Sequence, residues 1–254
     1  MGGGGRVLVT GSSRGIGAAI ATALARAGCR VVVHAGRDRG AAESVRDALQ
    51  GDGHAVVVGD VTDPDVCAAV VAQSIAALGG LDVLVLNAGV YEAHPIDAID
   101  YAGWRDAWRR TLDTNLVGPA NLAWLLVDHL RSRPEGAGGG RVVAVGSRGA
   151  YRGEPVTAAY AASKAGLHAM TQSLALALAP HGVLAAAVAP GFVETDMARS
   201  VLEGPDGDAV RAQSPFRRVA QPHEVADVVT WLATDAPLWV SGAVLDANGA
   251  SYLR

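Results

Sequence analysis

Short, almost uninterrupted apolar runs alternate with longer stretches of helical periodicity along the whole chain, and this alternation constrains the fold more than any other feature. The runs Val7 to Thr10, Arg30 to Ala35, Ala55 to Gly59, Val83 to Leu86, Arg141 to Gly146, Val183 to Ala189 and Ala243 to Asp246 read as strands. Between them, Ile16 to Ala27, Ala41 to Leu49, Val66 to Leu78, Trp104 to Leu130, Thr157 to Leu178 and Glu224 to Ala233 carry apolar residues at helical spacing. Strands this continuously apolar are buried on both faces, which calls for a parallel sheet with helices above and below. The expectation is a single α/β domain over residues 1–254, a doubly wound parallel sheet of about seven strands, with no linker. Residues 1–5 read as a flexible tail. Residues 192–222, weakly periodic and interrupted by Pro and Gly, read as a mobile loop over a substrate site.

Composition narrows the partners. A net charge of -4 with no concentrated basic stripe argues against nucleic acid and against an anionic membrane surface. No apolar stretch approaches the roughly 18 uninterrupted residues that span a bilayer. The opening Met1-Gly2-Gly3-Gly4-Gly5 lacks the charged and apolar regions of a secretory leader. Two cysteines, Cys29 and Cys67, are too few for a disulfide framework, so a cytoplasmic location is expected. Seven histidines show no metal-ligand spacing, and no metal is expected. Of the 21 basic residues, 20 are Arg and one is Lys, Lys164.

Directly after the first strand comes Thr10-Gly11-Ser12-Ser13-Arg14-Gly15-Ile16-Gly17, where a helical pattern begins. Glycines permit a tight turn and close backbone approach, while a helix N-terminus offers free N–H groups and a positive dipole end to a pyrophosphate. The spacing is G-x-x-x-G-x-G. Further along stand Asn87-Ala88-Gly89 after the fourth strand, Asn115 on the next helix and Ser147 after the fifth strand. Tyr160-Ala161-Ala162-Ser163-Lys164 follows, then Pro190-Gly191-Phe192-Val193-Glu194-Thr195 after the sixth strand. Together these motifs resemble the classical short-chain dehydrogenase/reductase family, closest in texture to its 3-oxoacyl-carrier-protein reductase-like members. Two departures, Leu86 and Ala186 where many members carry Asn, remove no catalytic group.

The resemblance implies a Rossmann-type nucleotide site and an NAD(P)-dependent oxidoreductase acting on a ketone or secondary alcohol. Its cofactor contacts would be Gly11, Ser13, Arg14, Gly15, Ile16 and Gly17 in the turn, and Asp60 and Val61 at the adenine. Asn87, Ala88 and Gly89 would shape the crevice, with Tyr160, Lys164, Pro190, Gly191, Val193 and Thr195 nearer the nicotinamide. The NAD-type acid would fall at Ala35; Arg37 follows instead, with Arg14 as a second cation, so NADP(H) is preferred and NAD(H) stays open. Asp38 is the competing ribose contact.

Tyr160 and Lys164, four apart on a helix, share a face, so the ammonium is expected to depress the phenol's pKa and fit it for proton transfer. Ser147 would polarise the substrate carbonyl. By resemblance, Asn115 anchors a water against the lysine. Arg148, Arg152 and Arg199 are read as solvated charges, with an acidic substrate or a carrier-protein phosphate as the alternative. Tyr91 and His94 lie near the expected substrate position. The alternatives are an NAD(H)-dependent sugar, steroid or polyketide alcohol dehydrogenase of the same family, and a catalytically silent nucleotide-binding regulator. A homotetramer, or a homodimer, is expected by analogy.

Overall fold

The computed structural model describes residues 4–254. Of the expected tail, Met1, Gly2 and Gly3 lie outside the described residues; Gly5 is buried and its carbonyl accepts the Arg30 N–H at 2.9 Å. The elements run β1 (Arg6–Val9), α1 (Gly15–Arg26), β2 (Arg30–Ala35), α2 (Arg39–Asp47), β3 (Ala55–Val58), α3 (Pro64–Leu78) and β4 (Val83–Leu86). Then come α4 (Tyr101–Leu112), a π turn (Asp113–Val117), α5 (Gly118–Ser132), β5 (Arg141–Val145), α6 (Ala158–Leu178) and β6 (Leu184–Pro190). The chain closes with α7 (Asp196–Leu202), α8 (Gly207–Ala212), α9 (Pro222–Thr234) and β7 (Val244–Ala247).

Among the described residues seven strands pair in parallel, in the order β3-β2-β1-β4-β5-β6-β7. Because alternate strand residues face opposite sides, Val7 and Val9 of β1 pack with Ile20, Leu24, Val225 and Val229 of α1 and α9. Leu8 between them packs into the other layer, with residues of α3, α5 and α6 such as Val70, Leu126 and Leu167. Each buried Val or Leu side chain contributes about 1.5–3 kcal/mol. Between β1 and β4 the order of strands reverses, which opens a crevice at their carboxyl ends, where such sheets hold ligands.

Side chains cap the N-termini of several helices. Asp38 accepts from Ala41 N on α2, Asp63 from Asp65 N on α3, and Asp100 from Gly103 N on α4. A Gln221–Glu224 capping box opens α9. No side chain caps α1, whose first turn carries no acid, so its N–H groups face the crevice free.

Two regions differ from the sequence expectation. The helix expected over Trp104 to Leu130 is interrupted by the π turn at Asp113–Val117, which inserts one residue per turn and brings fully buried Asn115 inward. The weakly periodic stretch after β6 contains α7 and α8, joined by a small apolar cluster of Ala198, Leu202, Val210 and Val219. Val193 pairs with Ala220 across its base, so the excursion leaves and re-enters the body at one point.

Candidate active site

The glycine turn is held from three sides. Gly11 has φ +62°, and a Cβ there would stand 2.8 Å from Ala88 Cα; a Cβ on Gly17 would collide with Gly11 O and Asn87 Nδ2. Both sites therefore require glycine. Asn87 Nδ2 donates to Thr10 O (2.9 Å) and Gly11 O (3.0 Å), and Thr10 Oγ1 accepts from Asn87 N and Ala88 N. From above, the loop after β6 folds back so that Thr195 Cγ2 lies 3.4 Å from where a Gly15 Cβ would be. Open helix N–H groups, glycines that leave room for a pyrophosphate and an exposed Arg14 at the lip fit a dinucleotide.

At the adenosine rim, β2 ends on the buried methyl of Ala35, so no carboxylate projects from the strand tip. Asp38 is occupied as the α2 cap, accepting from Ala41 N at 3.0 Å. The Arg37 side chain is 89% exposed, its Nη2 3.4 Å from Asp60 Oδ2. Against its own burial, the Asp60 carboxyl is held below the usual carboxylate range by Thr62 and Arg37. Buried Val61 follows it, at the entrance to α3.

Ser147, Tyr160, Lys164 and Asn115 converge beside the crevice. The Ser147 hydroxyl accepts from Gly149 N at 2.9 Å and lies close enough to the Tyr160 phenol to pull its pKa down against burial. Lys164 is 4% exposed and donates from Nζ to Val145 O at 2.9 Å; Nζ lies 5.7 Å from the Tyr160 ring centroid. Asn115 Oδ1 accepts from Val90 N (2.8 Å), while Nδ2 donates to Val90 O (3.0 Å) and Ser163 Oγ (3.1 Å). Gly89 sits where a Cβ would be 3.3 Å from Asn115 Oδ1 and 3.6 Å from Lys164 Nζ. Tyr91 packs edge-on against Tyr160, ring centroids 5.0 Å apart.

The electrostatics of the free chain correct one expectation. Burial pushes the Tyr160 phenol up to about 12, opposed by the Ser147 hydroxyl and assisted by Tyr91 and Glu154. Burial draws Lys164 down to about 8. The lysine hydrogen-bonds a backbone carbonyl and not the phenol, so the pair alone does not depress the phenol's pKa.

Several residues do more than their sequence suggests. His34 is buried; its Nδ1 accepts Gly11 N (3.1 Å) and its Nε2 pairs with Gly59 O (2.9 Å), which fixes a neutral, Nε2-protonated ring tying the glycine turn to β3. His94 is buried and spent, with Nε2 accepting Ala159 N at the start of α6 and Nδ1 on Glu92 O. Arg148, expected in solvent, is buried; it bonds Gln213 Oε1 and Ser251 O and lies 5.3 Å from the Phe192 ring. Glu154 reaches back towards Ser147. Neither His34 nor Glu154 stands in a recognisable motif; each is defined by contacts that only the folded chain makes.

A family profile described as Enoyl-(Acyl carrier protein) reductase matches residues 11–249. The chain is 38% identical to a cis-4-hydroxycyclohexanecarboxylate dehydrogenase of Sinomonas cyclohexanicum, over 95% of this chain and 94% of that protein. It is 35% identical to a 3-oxoacyl-[acyl-carrier-protein] reductase of Escherichia coli (strain K12), over 97% and 96%. Among solved structures, a short-chain dehydrogenase from Burkholderia cenocepacia J2315 in complex with NADP superposes with a TM-score of 0.86 at 32% identity, covering 98% of both chains. With the glycine turn, the crevice and the Ser-Tyr-Lys cluster in place on this sheet, the chain belongs to the classical short-chain dehydrogenase/reductase family, oxidoreductases that act on alcohol and ketone groups.

Proposed function

We propose that the protein transfers hydride between NADP(H) and a ketone or secondary alcohol, with Tyr160 as the general acid and base. The observation that carries this reading is the pairing of Tyr160 with buried Lys164, whose Nζ is fixed on Val145 O, 5.7 Å from the centroid of the phenol ring, next to Ser147 and the open N-terminus of α1. In it, residues of the glycine turn, Gly11, Ser13, Arg14, Gly15, Ile16 and Gly17, hold the pyrophosphate on free N–H groups. Asp60 and Val61 border the adenine, and Asn87, Ala88 and Gly89 floor the crevice. Pro190, Gly191, Val193 and Thr195 cover the nicotinamide end. When bound, the nicotinamide supplies or accepts the hydride.

The chain's own residues handle the oxygen and the proton. Ser147 donates to the substrate oxygen and Tyr160 Oη delivers the proton as charge builds there, or removes it in the oxidative direction. Lys164, fixed on Val145 O, holds a positive charge near the phenol, and Asn115 orders the Val90 backbone beside it.

Preference for the phosphorylated cofactor is supported by the rim, where Arg37 and Arg14 are exposed, Ala35 offers no acid and Asp38 is engaged in capping. The NADP complex of the Burkholderia relative points the same way. For the substrate, the relatives offer both a 3-oxoacyl thioester and a ring alcohol. Segment 192–222, pinned at Val193 and Ala220, is read as the mobile cover. A cytoplasmic setting suits the unpaired, buried thiols of Cys29 and Cys67, and among the described residues no helix is long and apolar enough to cross a membrane.

Assembly as a homotetramer is part of the proposal. Trp124 and Leu176 stand 66% and 82% exposed on α5 and α6, in one helical layer, while Trp231 of α9, Leu238 and Trp239 are exposed on the other side of the sheet. Two separate apolar faces provide the two interfaces of a dihedral tetramer.

The test is NADPH consumption with a panel of ketones and β-ketoesters, alongside NADP+ reduction with secondary alcohols. Tyr160→Phe is expected to lower kcat at least a thousandfold while the chain still binds NADPH. Wild-type turnover by that variant on the best substrate would sink the mechanism.

A further inference from the structure

Glu154 lies in the 13-residue interval between Ser147 and Tyr160, in the loop that leads into α6, where its carbonyl accepts Thr157 N at 3.2 Å. Its side chain does not turn to solvent: it is 18% exposed. A Cβ on Gly149 would stand 3.2 Å from Glu154 Oε1 and 3.2 Å from Ser147 Oγ, so the carboxylate and the hydroxyl flank one point. The carboxylate's charge is also felt by the Tyr160 phenol. An acid thus sits beside both groups that would grip the reacting oxygen.

That acid is poorly satisfied by the protein. Its ion-pair partner, Arg152 Nε, is 3.9 Å away, too far for a hydrogen bond. Arg152 is turned instead towards Gln213, whose Oε1 it shares with Arg148. Glu154 thus keeps acceptor capacity that no donor among the described residues takes up, open to solvent or to a ligand. Acidic substrates are disfavoured at this point by like charge. A cationic group at this point would meet the Arg152 guanidinium, 3.9 Å from the carboxylate, as a like charge. An uncharged hydroxyl meets neither objection, and it donates the bond that Glu154 lacks.

We propose that Glu154 is a substrate-binding residue that accepts a hydrogen bond from a hydroxyl group adjacent to the reacting carbon, so that the substrate class is an uncharged vicinal diol or α-hydroxyketone. This rests on the oxidoreductase reading of Ser147 and Tyr160, and it deepens that reading by favouring a polyhydroxy compound over an acyl thioester. Arg152 stands between Glu154, 3.9 Å from its Nε, and Gln213 Oε1, 3.4 Å from its Nη1, at the trailing end of the α7–α8 segment. Gly149 is the residue that keeps the space between Glu154 and Ser147 free.

Matched pairs test it: cyclohexanol with cis-1,2-cyclohexanediol, and 2-butanol with 2,3-butanediol, each with NADP+. A hydrogen bond to a charged acceptor is expected to favour the diol about tenfold or more in kcat/KM for the wild type. Glu154→Leu is expected to erase that ratio. Glu154→Gln, whose amide oxygen still accepts, should keep part of it. A ratio near one in the wild type, or a ratio unchanged in Glu154→Leu, overturns the proposal and leaves the oxidoreductase reading intact. An equal fall on both members of each pair makes Glu154 structural and overturns it too. Absence of Tyr160-dependent turnover on every pair and on the ketone panel overturns the oxidoreductase reading, and this inference with it.

Discussion

Lys164 answers to two demands that pull against each other. Its amine is buried and lowered to about 8, so at neutral pH the folded chain carries a charge in a place that resists it. The unfolded chain holds its proton up to about 10.5, so stability contributed at this site rises as the pH climbs from about 8 to 10.5. Lys164→Met removes the charging cost: it should be inactive, yet more stable than the parent at pH 7 by about 1–3 kcal/mol. The gap should close by pH 10, as urea unfolding at the two pH values will show. His34 poses the complementary case, a neutral ring placed between a donor and an acceptor. Its pKa is lowered by burial, against the pull of Gly59 O, which keeps it neutral where the turn needs an acceptor for Gly11 N. His34→Ala is expected to raise the KM for NADPH about tenfold with a smaller change in kcat. His34→Asn, which keeps an acceptor, should recover most of the loss; equal KM values for the two variants would make the ring mere packing. Ser147, Tyr160 and Lys164 were legible in the sequence because their relation is a spacing along one stretch of chain. His34 was not, because its meaning lies in Gly11 and Gly59, brought to it by the pairing of β1, β2 and β3.

At the scale of elements, strand positions follow from apolar continuity and agree with the structure to within a residue at most ends. The π turn does not follow from it, because the pattern of apolar residues through Trp104 to Leu130 is compatible with one unbroken helix. What breaks the helix is tertiary: Gly118 is pressed against Val61 O, and buried Asn115 must meet both polar groups of Val90. The helix α2 carries a sharper test, since one acid has two competing interpretations there. If Asp38 serves as the helix cap, Asp38→Ala costs about 1 kcal/mol of stability and leaves the ratio of kcat/KM for NADPH and NADH unchanged. A swing of that ratio towards NADPH would mean that Asp38 reaches the ribose. Thermal unfolding and initial rates with the two cofactors measure both halves.

For the whole molecule, the sheet order places the chemistry along one edge and leaves the outer helical faces for other uses. The large apolar side chains left exposed on those faces would be a liability in a monomer. Trp124→Glu is expected to reduce the assembly by one interface, giving a smaller species by sedimentation velocity at micromolar concentration while the helical circular dichroism signal is retained. Unchanged sedimentation would place the contact elsewhere. The loop between Ser147 and Tyr160 and the segment after β6 were legible as irregular loops beside the site but not in their detail. There the side chains belong to no periodic element, and neighbours such as Arg148 and Gln213, or Glu154 and Gly149, are fixed only by the folded surface. Concentrating every basic group but one in arginine also has a practical side. The molecule has a single side-chain amine, and it is the one in the crevice. Reductive methylation with a 13C label would therefore give one lysine NMR resonance, an intrinsic reporter placed by the chain itself, whose chemical shift is expected to respond to NADPH addition and to protonation without any engineered probe.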